Sequence, residues 1–393
     1  MKKIIYSLAA LAMAVTFTGC ASDDDNTSGK TSGKTSLWTN PLNDTIPYAT
    51  SKANAPQVSA LLQDYVDNVV KPTYTDLKNG NANLNTKVKA FLNNPTQANL
   101  DAAANEWIAA RAPWETSEAF LFGPVADLEL DPNMDSWPLK RAEIQEMIKS
   151  GNFPEEISTA QDIIGFHTLE YLLYQDGQAR DIATDTEYKD YKDNYAKYMQ
   201  QVAQFLENDA ATLYAAWFTD ADKYETTFYN EGVQSIYEIL QGMWDIANEV
   251  GGAKIGEPYA LYLDGQEEDA LYAVESWYSW HSREDYCNNI RSIRNCYFGK
   301  YGESVFRNGN ATPAANSLAN YVSANLGKDY DNKMRAAIND AMNAIWDIEA
   351  PFRSHIASDQ SKVAMEKCAT LRDVIKEITG KLGGTISEEE EEE

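Results

Sequence analysis

Three observations predict an all-α fold for this chain of 393 residues. Beyond Trp38, apolar residues recur at spacings of three and four with almost no apolar-polar alternation, which is the signature of amphipathic helices. Pro, Gly and Asn break that pattern at intervals, as they do between helices. The composition, 44% hydrophobic, 24% charged and 11% aromatic, is globular and excludes collagen-like, low-complexity and disulfide-scaffold classes. Helices are expected over 55–70, 84–93, 97–121, 140–149, 155–175, 186–217, 226–250, 267–296, 312–325, 329–357 and 361–382. So many helices exceed one bundle, and the chain exceeds the size that one core usually supports. Two bundle-like domains are therefore expected, over 38–225 and 226–386, followed by a disordered acidic tail at 387–393. Lys plus Arg is 33 against 60 Asp plus Glu, a formal charge of −27, which repels a phosphate backbone and excludes nucleic acid as a partner.

The N-terminus reads as an address. Lys2 and Lys3 precede an apolar run from Ile4 to Phe17, too short to span a bilayer and ending in small residues, so residues 1–19 are expected to be a signal peptide. Phe17-Thr18-Gly19-Cys20 resembles a bacterial lipobox, which implies a lipid on the Cys20 thiol; plain secretory cleavage nearby is the alternative. Ala21-Ser22-Asp23-Asp24-Asp25 looks like an acidic signal for export to the outer surface, or else the start of a solvated linker. Residues 26 to 36 hold no apolar side chain, so 20–37 reads as a flexible tether, the polar part reaching about 20 Å by random-coil scaling. Cys287, Cys296 and Cys368 remain, an odd number, and buried structural thiols are the expected reading.

Polar residues on apolar faces mark candidate sites. On the 97–121 helix, Leu100, Ala104, Trp107, Arg111, Trp114 and Glu118 share one stripe, so an arginine and a glutamate are expected to be buried. Either a structural ion pair or a binding pocket would meet the cost of burying them. On the 155–175 helix the stripe is Ala160, Ile164, His167, Tyr171 and Tyr174, with one of only three histidines at its centre. Glu170, three residues on, can hydrogen-bond that imidazole or share a metal with it. Gly165 permits close approach of another helix or a ligand.

A zinc hydrolase would need a third ligand, because the His-Glu-x-x-His motif is absent and Tyr171 stands where an inverted motif would place its second histidine. Glu118, Glu275 or another histidine are the candidates. Glu275, Ser279, Ser282 and Asn289 line up at helical spacing, either as a solvated face or as a face that closes on the first half to complete a polar cleft. The stretch from Asp127 to Asp135 imitates a calcium loop, but Pro132 replaces its Gly and Pro138 its final Glu.

Arg111-Ala-Pro-Trp114-Glu115-Thr-Ser117-Glu118-Ala-Phe-Leu-Phe122-Gly123-Pro124, Asp135-Ser-Trp137-Pro138 and Gly165-Phe-His167-Thr-Leu-Glu170-Tyr-Leu-Leu, in that order, resemble the imelysin family and its Gly-x-His-x-x-Glu signature. Lys254-Ile-Gly256-Glu257-Pro258, Val274-Glu275-Ser276-Trp-Tyr-Ser279 and Pro351-Phe352 resemble its second half. The resemblance implies two helical bundle-like domains related by an apparent duplication, with the His-x-x-Glu site near their interface. It carries His167 and Glu170 over as the signature pair and tentative metal ligands, and Gly165 as the small residue beside them. Arg111, Trp114, Ser117 and Glu118 carry over as pocket lining, and Glu275, Ser276 and Ser279 as the second-domain side. Family members are bacterial envelope proteins, grouped either with metallopeptidases or with iron-regulated proteins tied to iron uptake.

The favoured expectation is an outer-membrane lipoprotein, possible at the cell surface, that binds iron or an iron-bearing ligand at an interdomain cleft and works beside iron-uptake components. Imidazole and carboxylates suit iron or zinc. A metal-dependent peptidase using the His-x-x-Glu pair is one alternative. A non-catalytic protein- or glycan-binding module using some of the 23 Tyr and 9 Trp is another.

Overall fold

Helix α1 (Ala55–Tyr65) runs through a π-helical turn at Val66–Val70 into α2 (Lys71–Asn93), where the sequence pattern had stopped at 70 and resumed at 84. Pro72 is tolerated because it stands in the first turn, where its missing N–H costs little. Gly80 serves close packing: a Cβ there would lie 3.1 Å from Ala110 Cα on the next helix. The computed structural model describes residues 55–153, 161–302 and 312–388. The expected signal peptide, Cys20, the tether, Ala160 and the tail beyond residue 388 lie outside the described residues.

Helix α3 (Gln97–Glu115) is capped by the Thr96 hydroxyl, which accepts from the Asn99 N–H at 3.3 Å. It stops at 115 rather than 121 because the Thr116 and Ser117 hydroxyls donate back to the carbonyls of Ala112 and Trp114. Glu118–Phe120 then form a 3-10 turn. The stretch that imitates a calcium loop folds as α4 (Pro124–Asp127) and α5 (Leu130–Asp135). Next come α6 (Arg141–Ser150) and α7 (Gly165–Leu173), then a two-residue hairpin pairing Tyr174–Gln175 with Gln178–Ala179, the only sheet among the described residues.

The expected 186–217 helix divides at Tyr191 into α8 (Thr186–Asp190) and α9 (Lys192–Phe218). The second half holds α10 (Tyr224–Glu231), α11 (Val233–Glu249), a π-helical turn at Val250–Lys254, α12 (Gly256–Leu263), α13 (Glu267–Ala273), α14 (Ser282–Phe298), α15 (Leu318–Leu326), α16 (Lys328–Trp346) and α17 (Asp359–Leu382).

Helix α2 packs on α3 and α9, with Tyr74, Trp107 and Trp217 fully buried; α11, α14, α16 and α17 pack together in the second half. Across the expected boundary near 225, α14 packs on α3 and α11 on the 118–120 turn. The described residues belong to one compact unit. Cys287, Cys296 and Cys368 are buried and unbridged. No described helix is long and apolar enough to cross a membrane.

One buried charge on α9 stands apart. Asp209 is 7% exposed, its Oδ2 lacks a hydrogen-bond partner, and burial pushes its carboxyl from 3.8 to about 7. The folded chain therefore holds a proton that the unfolded chain has lost, and stability falls as pH rises between those values. Asp209→Asn is expected to stabilise the protein by about 1–3 kcal/mol at pH 8, a gain that fades toward pH 4; thermal unfolding at the two pH values checks it.

Candidate functional site

The signature helix begins at the residue that positions it. Gly165 has φ +85°, and a Cβ there would lie 2.5 Å from the Met134 carbonyl oxygen and 2.9 Å from that of Asn133. The first turn of α7 therefore rests directly on the backbone that carries Asp135. His167 follows on that turn, with Nε2 3.2 Å from Asp135 Oδ1. The Trp107 indole N–H donates to the Phe166 carbonyl at 2.9 Å and holds the turn in place.

From the second half, the segment between α13 and α14 closes on α7. Glu275 and Ser279 were expected on one continuous helix; they lie instead on a non-helical segment in which Ser276 (φ 51°) and Trp280 (φ 63°) adopt the left-handed conformation. Such strain persists only where the surroundings enforce it. It aims Glu275 Oε1 to 3.3 Å from His167 Nε2 and lets Ser279 donate through both its N–H and Oγ to Glu170 Oε1, each at 2.7 Å. Ser276 Oγ donates to Asp285 Oδ2 at 2.6 Å.

Glu170 and His167 do not converge on one point, as shared metal ligands would. Glu170 Oε2 lies 3.0 Å from Nδ1, the nitrogen facing away from Asp135 and Glu275. Glu170 thus orients the imidazole, the role a carboxylate plays behind a metal-binding histidine.

The convergent atoms are His167 Nε2 and oxygens of Asp135 and Glu275, all within 4.8 Å of one another. Separations near 3 Å are those of neighbouring ligands around one ion with bonds of about 2.0–2.2 Å, and one imidazole with two carboxylates suits iron, zinc or manganese. Burial and the Arg111 charge push the His167 imidazole down, but hydrogen bonds to Asp135, Glu170 and Glu275 outweigh them and raise it to about 10. Metal binding at Nε2 would displace that proton.

Arg111 binds the same two carboxylates and two more. It is 1% exposed and meets Glu115 at 2.6 Å, Glu275 at 2.7 Å, Asp285 at 3.1 Å and, closest of all, Asp135. Trp114 donates from its indole to Asp135 Oδ2 at 2.7 Å. Lys254 Nζ lies 3.0 Å from Glu275 Oε2 and 3.5 Å from Glu249, whose side chain is 46% exposed. Burial pushes the Glu275 carboxyl up, but Lys254, His167 and Arg111 pull it down to about 2.

Glu118 is buried beside Glu115 and Asp135. Ser117 takes no part: its hydroxyl donates to the Trp114 carbonyl. Sequence reasoning missed Glu115, Asp135, Lys254 and Asp285 as site residues. The Arg111–Glu115 spacing of four on one helix was the available signal for one of them.

The signature pair is not exposed in the expected polar cleft. His167 and Glu170 are fully buried, and Trp137 lies edge-on to the imidazole with centroids 4.8 Å apart. The indole N–H of Trp137 donates to the Ala273 carbonyl, pinning the first half to the second beside the site. Two surface depressions, one around Arg291 and Tyr301 and the other around Tyr171 and Glu187, are not lined by His167.

Fold and site together define a class of protein: an all-α chain with a buried histidine-carboxylate centre where its two halves meet. The imelysin (peptidase M75) family model matches residues 70–378, and the chain belongs to that family. Iron-regulated protein A of Synechococcus elongatus is 29% identical over 318 residues, which cover 77% of this chain and 80% of that protein. The crystal structure of a candidate iron-regulated protein A precursor from Parabacteroides distasonis matches with TM-score 0.75 and 31% identity, covering 86% of this chain and 98% of that one. An imelysin-like protein from Psychrobacter arcticum, 12% identical with TM-score 0.61 over 85% of this chain and 98% of its own, shares the fold.

Proposed function

We propose that this chain is a lipid-anchored envelope protein that binds iron and supports its uptake, with Asp135, His167 and Glu275 holding the ion. The carrying observation is the convergence of Nε2 and two carboxylates in a cluster rich in buried negative charge. The name of the Synechococcus relative agrees with an iron-linked role. Lipidation at Cys20 would keep the protein beside a transport system in the outer membrane, and an acidic surface favours encounter with cations. Glu249, half exposed and in contact with Lys254, is the surface carboxylate that reaches toward the cluster.

The test is metal analysis of tag-free mature protein loaded anaerobically with Fe(II), beside His167→Ala. Bound iron in the wild type, lost in a variant that keeps its helical circular dichroism, is the expected result. Failure of the wild type to retain iron overturns the reading. Chelator-sensitive cleavage of a peptide library by the wild type alone would replace it with metal-dependent peptidase activity.

A further inference from the structure

We infer that Lys254 is a displaceable counter-cation of the His167, Asp135 and Glu275 set, released toward Glu249 at the surface when a divalent cation takes its place at Glu275. This deepens the reading above and rests on it, because an ion held by that set is what would drive the ammonium out.

Arg111, the protonated His167 and Lys254 all touch the donor carboxylates, and they differ in how freely each can leave. Arg111 is 1% exposed and tied to four carboxylates at once. His167 is fully buried and can surrender only its Nε2 proton. Lys254 Nζ lies 3.0 Å from Glu275 Oε2 and 3.2 Å from Oε1 on its inner side, and 3.5 Å from Glu249 Oε1 on its outer side. The Glu249 side chain is 46% exposed, whereas those of Lys254 and Glu275 are buried. The ammonium therefore stands between the donor set and a carboxylate that water reaches.

The chain carries Lys254 and its outer partner on one stretch. Glu249 ends α11, and Lys254 ends the π-helical turn that follows, which the Ile255 N–H closes onto the Val250 carbonyl at 3.1 Å. Turns of this kind recur at functional sites. With Nζ already near Glu249, rotation within the flexible four-carbon stem completes the transfer and leaves the backbone in place.

Electrostatics gives the movement its direction. Burial pushes the Lys254 ammonium down, but Glu275, Glu249, Glu118 and Glu115 outweigh it, so the group stays charged. A divalent ion and an ammonium on the same buried carboxylate repel each other strongly, and the ammonium has a hydrated alternative. Burial pushes the Glu249 carboxyl up and Lys254 pulls it down, against the Glu275 charge; an ammonium moved fully onto Glu249 favours its ionised form.

The experiment measures anaerobic Fe(II) binding to the mature protein by competition with a chromogenic chelator, for wild type, Lys254→Met, Glu249→Gln and the double variant. It also follows acetylation of Lys254 in the wild type by peptide mass spectrometry, with and without Fe(II). Lys254→Met removes the competing charge, keeps the apolar stem and should bind Fe(II) about tenfold more tightly. Glu249→Gln removes the receiving carboxylate and should weaken binding, but in the Lys254→Met background its effect should shrink to about twofold or less. Acetylation of Lys254 should become several-fold faster with Fe(II), while the exposed Lys376 keeps its rate. That labelling is read on the wild type, so it stands whether or not a variant folds. Fe(II) retained with Lys254 labelling unchanged, or weaker binding by a folded Lys254→Met, overturns the displacement and leaves the iron site standing. A wild type that retains no Fe(II) overturns both.

Discussion

Arg111→Leu is expected to cost about 3–5 kcal/mol of folding stability, enough to leave much of the chain unfolded at 37 °C. The guanidinium, 1% exposed, meets Glu115, Asp135, Glu275 and Asp285 at once, and three of its nitrogens serve different carboxylates. Leucine would leave those carboxylates buried without their shared cation, the costly way to break a buried ion network. Arg372→Leu is the control, because Arg372 lies at the surface beside Asp373 and should change stability by about 0.5 kcal/mol or less. Urea unfolding of both variants checks the contrast.

The pH dependence has a defined sign. Glu275 is held at about 2, below its unfolded value, so its contribution is present above the ordinary carboxylate range and is lost as pH falls through 2. Without Arg111 the cluster carboxylates keep their protons to higher pH, so the acid-side loss of stability becomes shallower in the variant.

Gly165→Ala is expected to cost about 2–5 kcal/mol, the sum of a left-handed backbone without glycine and a forced backbone separation. The φ of +85° disfavours any side chain, and the Met134 carbonyl lies 2.5 Å from where the methyl would sit. Relief requires α7 to move off the 133–134 backbone, which lengthens the His167–Asp135 contact. On the proposed iron-binding reading, iron retained per folded chain should fall along with stability, although alanine touches neither His167 nor Asp135. Gly252→Ala is the comparison: no atom lies within 4 Å of its added Cβ, and a change within about 1 kcal/mol is expected. Thermal unfolding together with iron content separates the two positions.

Much of this architecture was written in local pattern. The all-helical body follows from the three-and-four spacing, and the burial of Arg111 and Glu118 follows from their place on the α3 stripe and its extension. His167 and Glu170 were found because both lie on one short helix, three residues apart. The family motifs drew in Glu275, Ser276 and Ser279, which local periodicity had placed on a helix. Left-handed residues at 276 and 280 could not be read there, since neither Ser nor Trp announces a positive φ.

What the amino-acid sequence determined by itself was therefore the inventory: helices, a buried histidine with its carboxylate, and an acid-rich surface. The tertiary structure decided which carboxylate does what. It set Glu170 behind the imidazole and Asp135 and Glu275 in front. Roles of this kind depend on contacts between residues more than 100 positions apart, such as His167 with Glu275. Helical periodicity carries information over a few turns only, whereas the cost of burying charge is settled by whichever distant segment packs against it.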